Sequence, residues 1–140
     1  MKINTSWKGK MTFDAVNNDG HHVTMDAYSS VGGENKAQRP KELLLSGLAG
    51  CTGMDVISIL KKMKIIPAQF DIEVSADLTD NHPIIFSNIQ VKYIFKGNNL
   101  PHSKIEKAVK LSQESFCGVT EILRQSATVG YQIINENLTE

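Results

Sequence analysis

Fifteen basic side chains balance fifteen acidic ones in this 140-residue chain, and no stretch concentrates either sign. Without a positive field, nucleic acid is not an expected partner. Long apolar runs are also missing: the longest uncharged stretch, residues 43–54 (LLLSGLAGCTGM), has 12 residues. That is well short of the roughly 20 that a membrane-crossing helix requires, so no membrane span is expected. No apolar segment precedes Trp7, which argues against a signal peptide and for a cytoplasmic protein. There are only two cysteines, Cys51 and Cys117. They are too few for a secreted disulfide scaffold and lie at no metal-ligand spacing, and in a reducing compartment the pair is either inert or redox-active. His21, His22, His82 and His102 show neither HxxxH nor HxxE spacing. They are read as solvent-facing, with no metal site expected.

The patterning predicts one domain over residues 1–140, of the α+β class. Alternating apolar residues Ile3–Thr5–Trp7, Met11–Phe13–Ala15 and Val23–Met25–Ala27, broken near Gly9 and at Asp19-Gly20, predict a three-stranded antiparallel meander. Residues 29–38 are read as loop. Pro40 at a first helical turn, with Leu44, Leu48, Thr52, Val56, Ile59, Leu60 and Met63 at helical spacing, predicts a long helix over 41–63. Gly47, Gly50 and Gly53 recur along it. Each costs about 1 kcal/mol of helix propensity, so something is expected to approach that face closely. Two alternating strands around Phe70–Leu78 and Ile89–Phe95 follow, joined by a short hairpin loop. Ser103-Lys104-Ile105-Glu106 reads as a capping box opening a helix with an apolar stripe of Ile105, Ala108, Val109, Ser112 and Phe116. A short helix over 119–127 and a strand over 128–135 complete the pattern: an antiparallel sheet wrapped on a central helix. That helix is apolar or small on every side of its first half, more than one protomer of this size can cover, so a homodimer is expected.

Cys51 lies in the uncharged half of the long helix. Taken alone it reads as a small core residue; the neighbouring glycines, however, leave space beside the sulfur that a substrate can use. Asp55, one turn later, would raise the pKa of the thiol, so a reactive Cys51 needs a nearby cation. Arg39 and Arg124 are the only arginines, with Lys8 and Lys10 of the first hairpin as further candidate cations. For both arginines a surface ion pair, with Glu42 or Glu121, is the competing reading, and Glu42 also suits a helix N-terminus. Cys117-Gly118 falls at a helix junction, where freer backbone suits a resolving cysteine.

The stretch from Arg39 to Val56 (RPKELLLSGLAGCTGMDV), followed by Ser112–Cys117 (SQESFC), resembles the OsmC/Ohr family of osmotically inducible and organic-hydroperoxide-resistance proteins, and among them the small OsmC-like branch. The resemblance implies the OsmC-like fold and an intertwined homodimer. It further implies sites in which Cys51 is the peroxidatic nucleophile and Cys117 the resolving cysteine, with a glutamate and an arginine, here Glu42 and Arg39, holding thiolate and peroxide. Against the family pattern, Lys41 falls where the Ohr glutamate stands, and the first hairpin has no arginine.

The expected activity is a cysteine-based peroxidase acting on small organic hydroperoxides, with an external dithiol as reductant and no bound metal or prosthetic group. Leu44, Leu48 and Met54 would supply an apolar wall for the alkyl group. The alternative is a non-catalytic dimer that binds a small apolar or thiol-containing ligand at the subunit interface.

Overall fold

Short polar side chains shape the first hairpins. Asn17 Oδ1 accepts the backbone N–H groups of Asp19 (3.0 Å) and His21 (2.9 Å), and Gly20 takes the positive φ of 83° that closes the turn. The computed structural model describes residues 1–136, which form two compact units, Met1–Leu44 and a second beginning at Leu45.

In the first unit, β1 (Ile3–Trp7), β2 (Phe13–Asn17) and β3 (His22–Met25) form the expected antiparallel meander, in the order β1-β2-β3. Trp7, Phe13 and Met25 lie in register, as do Thr5, Ala15 and Val23, so one face carries the apolar side chains. That face is largely uncovered within its own unit, with Trp7 65% exposed. The segment read as loop contains a single 3-10 turn, Ser29–Val31, and Asp26 ties it down by accepting N–H groups from Ala27, Glu34 and Lys36.

α1 (Pro40–Lys62) runs through the boundary into the second unit. Its 23 residues are long and apolar enough, by length and composition, to cross a bilayer. The 12-residue uncharged run understates this apolar length, because Glu42 and Asp55 interrupt the charge-free count without ending the helix, and a helix with a stripe packed in a core meets the same measure. Leu48, Thr52, Val56 and Leu60 form a stripe buried in the core of the second unit. Leu44 and Met54, 51% and 76% exposed, lie outside it, so only one face of the helix is buried among the described residues. Of the three glycines only Gly53 is closely approached: a Cβ there would stand 2.9 Å from Ile72 Cδ1, whereas Gly47 and Gly50 face open space.

β4 (Gln69–Leu78) and β5 (Phe86–Lys96) pair antiparallel. β5 is the central strand, and Ile89, Val91, Tyr93 and Phe95 point from one side of it into the core. Each such burial contributes about 1.5–3 kcal/mol. β6 (Thr128–Glu136) runs parallel to β5, so this sheet is mixed, not wholly antiparallel. The intervening helices act as a crossover that brings the chain back to the end from which β5 began.

α2 (His102–Leu111) starts at Pro101, not at a Ser103 cap, since Ser103 already lies within the first turn. A π-helical turn, Ser112–Phe116, follows. Its wider turn shifts the helical phase, burying Gln113 and leaving Phe116 61% exposed where the 3.6-residue stripe had placed it inward. α3 (Gly118–Arg124) begins immediately after Cys117. The last four positions of the expected domain, 137–140, lie outside the described residues.

Candidate functional site

Helical geometry places Cys51 and Asp55 one turn apart on the same face of α1. The π-turn delivers Cys117 to the same place: Cys51 Sγ, Cys117 Sγ and a carboxylate oxygen of Asp55 all lie within 4.8 Å of one another. Both cysteines are free. Cys51 is half-buried, whereas Cys117 is only 4% exposed. Cys117 is less free than a helix junction suggested, because it is the N-cap of α3 and its Sγ accepts the N–H of Thr120 at 3.4 Å.

Burial pushes the Cys51 thiol above its ordinary value. Hydrogen bonding and charge interaction with Cys117, and the negative charge of Asp55, act in the same direction, and the Val119 N–H opposes them. Cys51 therefore rests as a thiol at neutral pH. The two sulfurs are close but unbonded. The chemistry open to the site is that of a dithiol. The cluster is also the one gathering of three metal-ligating side chains among the described residues. The four histidines are all exposed and none joins it, so an ion held there would lack a fourth protein ligand.

A buried polar chain that sequence reasoning missed runs up to this cluster. Gln113 Nε2 lies within hydrogen-bond reach of Tyr93 Oη, which is 2.6 Å from Thr52 Oγ1. Thr52 Oγ1 is 2.8 Å from Ser112 Oγ, and Ser112 Oγ is 3.1 Å from Asp55 Oδ2. An amide nitrogen only donates and a carboxylate only accepts, so the two ends set the direction of every bond between them. Gln113 donates to Tyr93, Tyr93 to Thr52, Thr52 to Ser112, and Ser112 to Asp55. Burial pushes the Tyr93 hydroxyl up and keeps it a donor. Gln113 could not be found from the sequence because the π-turn moves it inward. Thr52 and Tyr93 were legible as core positions but not as polar ones, since periodicity reports burial and not partners.

Arg39 and Glu42 form a pair of their own within the first unit. Glu42 Oε2 accepts the Arg39 N–H at 3.0 Å while Oε1 takes the guanidinium, and Arg39 Nη1 donates to Asn35 Oδ1 at 2.7 Å. With Pro40 at the first helical position this is the returning half of a capping box. The guanidinium also lies 4.5 Å over the Tyr28 ring. Each partner favours the other's charged form, raising Arg39 and holding the Glu42 carboxyl below its usual range. Lys10 pairs with Glu34 at 2.9 Å. Arg124 donates to the Gln113 carbonyl at 3.1 Å, so it braces the π-turn.

The structure does not bring Leu44, Leu48 and Met54 together as one wall. Leu48 is enclosed in the core and Leu44 belongs to the first unit. Met54 borders an open apolar groove of about 360 Å³ with Gly50, Gly53, Phe70 and Ile72. Cys117 lines a separate hollow of about 380 Å³ beside the π-turn.

Residues 33–132 match the family model for OsmC-like protein. The chain is 27% identical over 136 residues to Protein YhfA of Escherichia coli K12, covering 96% of this chain and 98% of that one. It is similar to a protein of known structure from Aquifex aeolicus VF5, at 28% identity, 96% coverage of both chains and a TM-score of 0.80. The fold is also that of the organic hydroperoxide resistance protein OsmC of Legionella pneumophila, at 16% identity, 95% coverage of each chain and a TM-score of 0.72.

Proposed function

The chain belongs to the OsmC-like protein family, and within it we propose that residues 1–140 form one domain acting as a thiol-dependent peroxidase that reduces organic hydroperoxides in oxidative-stress defence. The observation that carries this reading is the meeting of two free sulfurs within 4.8 Å, one half-buried and one buried. The unequal burial supports a division of roles. Cys51 gives up its thiol proton as its sulfur attacks the distal peroxide oxygen, so that an S–O bond forms, the O–O bond breaks, and the departing alkoxide takes that proton and leaves as alcohol. Cys117 then attacks the sulfenic acid on Cys51, giving a disulfide and water. An external dithiol returns both thiols and becomes a disulfide itself. The name of the Legionella pneumophila neighbour agrees with this chemistry. The uncovered apolar face of the meander supports a homodimer.

Purified protein with a dithiol reductant is expected to consume cumene hydroperoxide faster than hydrogen peroxide. Cys51→Ser abolishes turnover, while Cys117→Ser reacts once and leaves a sulfenic acid that a dimedone-type probe labels. Two single variants that behave alike would end this assignment. The raised Cys51 thiol favours a second reading, a non-catalytic dimer binding a small apolar or thiol-containing ligand. Under that reading peroxide oxidises neither variant faster than a free thiol.

A further inference from the structure

Asp55 is held by its neighbours in a way that a solvent-facing helix residue does not require. It follows Cys51 by one turn of α1, and its carboxylate lies within 4.8 Å of both sulfurs. Among the described residues the fully buried Ser112 donates its hydroxyl to Asp55 Oδ2 at 3.1 Å. Ser112 is itself aimed by Thr52 and Tyr93, so the orientation of the carboxylate is set from within the core. A group placed there serves no capping role, being in the middle of the helix, and pairs with no cation among the described salt bridges.

We propose that Asp55 is a catalytic residue, the proton carrier that lets Cys117 close on an oxidised Cys51. The proposal rests on the reading of Cys51 and Cys117 as a redox pair. As Cys117 attacks the sulfenic sulfur, its thiol proton passes to the Asp55 carboxylate while the S–S bond forms and the S–OH bond breaks. The carboxylic acid then gives the proton to the departing hydroxide, releasing water and regenerating the carboxylate. No net proton is taken up, and sulfur carries the whole redox change. In reverse, when an external dithiol attacks the disulfide at Cys51, the Cys117 sulfur leaves as thiolate and is reprotonated by the same route. A carboxylate beside two thiols, which by charge alone disfavours thiolate, is suited to this work because it removes the proton only as the new bond forms.

The test is disulfide closure, followed by acid quench and mass spectrometry on the full chain, with two oxidants used separately: cumene hydroperoxide and diamide. Diamide first adds to one thiol and is then displaced by the other, so closure is read without any peroxide chemistry. Asp55→Asn keeps an acceptor for Ser112 but takes no proton, and is expected to slow closure by about 100-fold with either oxidant. Sulfenic acid then accumulates after hydroperoxide and is trapped by dimedone. Asp55→Ala is equally slow and recovers on addition of formate, a response that a purely structural carboxylate would not produce. Closure of Asp55→Asn with diamide within about threefold of wild type overturns the proposal, and so does an Asp55→Ala variant that formate leaves unchanged. If hydroperoxide fails to oxidise the wild type while diamide closure still depends on Asp55, the peroxidase reading falls and the proton carrier stands.

Discussion

Thr52 is the junction of the buried polar chain, and Thr52→Val removes it while keeping nearly the same shape. The lost Oγ1 accepts from Tyr93 at 2.6 Å and donates to Ser112 at 2.8 Å, with all three residues fully buried. The Tyr93 hydroxyl is left as a buried donor without an acceptor, which costs about 1–3 kcal/mol. Ser112 loses one donor but keeps its bond to Asp55, a smaller loss of about 0.5–1 kcal/mol. The expected total is about 1.5–4 kcal/mol, or roughly 5–16 °C in Tm for a chain of this size. Tyr93→Phe removes the other end of the same bond and strands the Gln113 N–H, at about 2 kcal/mol. Because the two variants delete one shared contact, the double variant should be less destabilised than their sum by at least about 1 kcal/mol. Urea unfolding followed by far-ultraviolet circular dichroism, at one fixed protein concentration, measures all four corners of the cycle. A neutral Thr52→Val, or additivity within about 0.5 kcal/mol, would refute the directed chain.

Site-resolved alkylation of Cys51 should rise steadily from about pH 7 to pH 10, because a thiol pushed above its ordinary 9.0 holds less than about 1% thiolate at neutrality; a plateau below about pH 8 sinks this. The same shift leaves stability intact below the thiol's ordinary 9.0 and lowers it as pH rises through the raised folded value, so Cys51→Ser should lessen alkaline destabilisation in thermal melts. The Glu42 carboxyl, held down by Arg39, contributes stability above its ordinary 4.5 that is lost as pH falls through the depressed value. Glu42→Gln should accordingly flatten the acid limb of the stability curve, and an unchanged limb contradicts the cap pairing. Sedimentation is expected to give a dimer that covers the apolar face around Trp7; a folded monomer at micromolar concentration would tell against it.

Local chemistry made much of this protein legible without its structure. The Asn17–Gly20 turn, Pro40 at the start of a helix and the strict alternation from Phe70 to Leu78 specify their elements through neighbours a few positions away, where periodicity and propensity act directly. The family was readable too, because residues 39–56 carry their pattern in one continuous run. The parallel placement of β6, the mixed sheet, and the single buried stripe of α1 could not be read in this way. Strand direction after a helical crossover, and the extent to which a helix is covered, depend on contacts between distant segments. The site divides along the same line. Cys51 and Asp55 share a helix face by spacing alone, but Cys117 reaches them only because a π-turn adds a residue to the end of α2. That extra residue also carries Gln113 inward and Phe116 outward, and with Thr52, Tyr93 and Ser112 it completes a hydrogen-bonded chain spanning two helices and a strand. A hydroxyl at a core position looks like any other small buried residue in the sequence. Its partner, and the carboxylate its chain of donors finally reaches, are decided only when the elements pack.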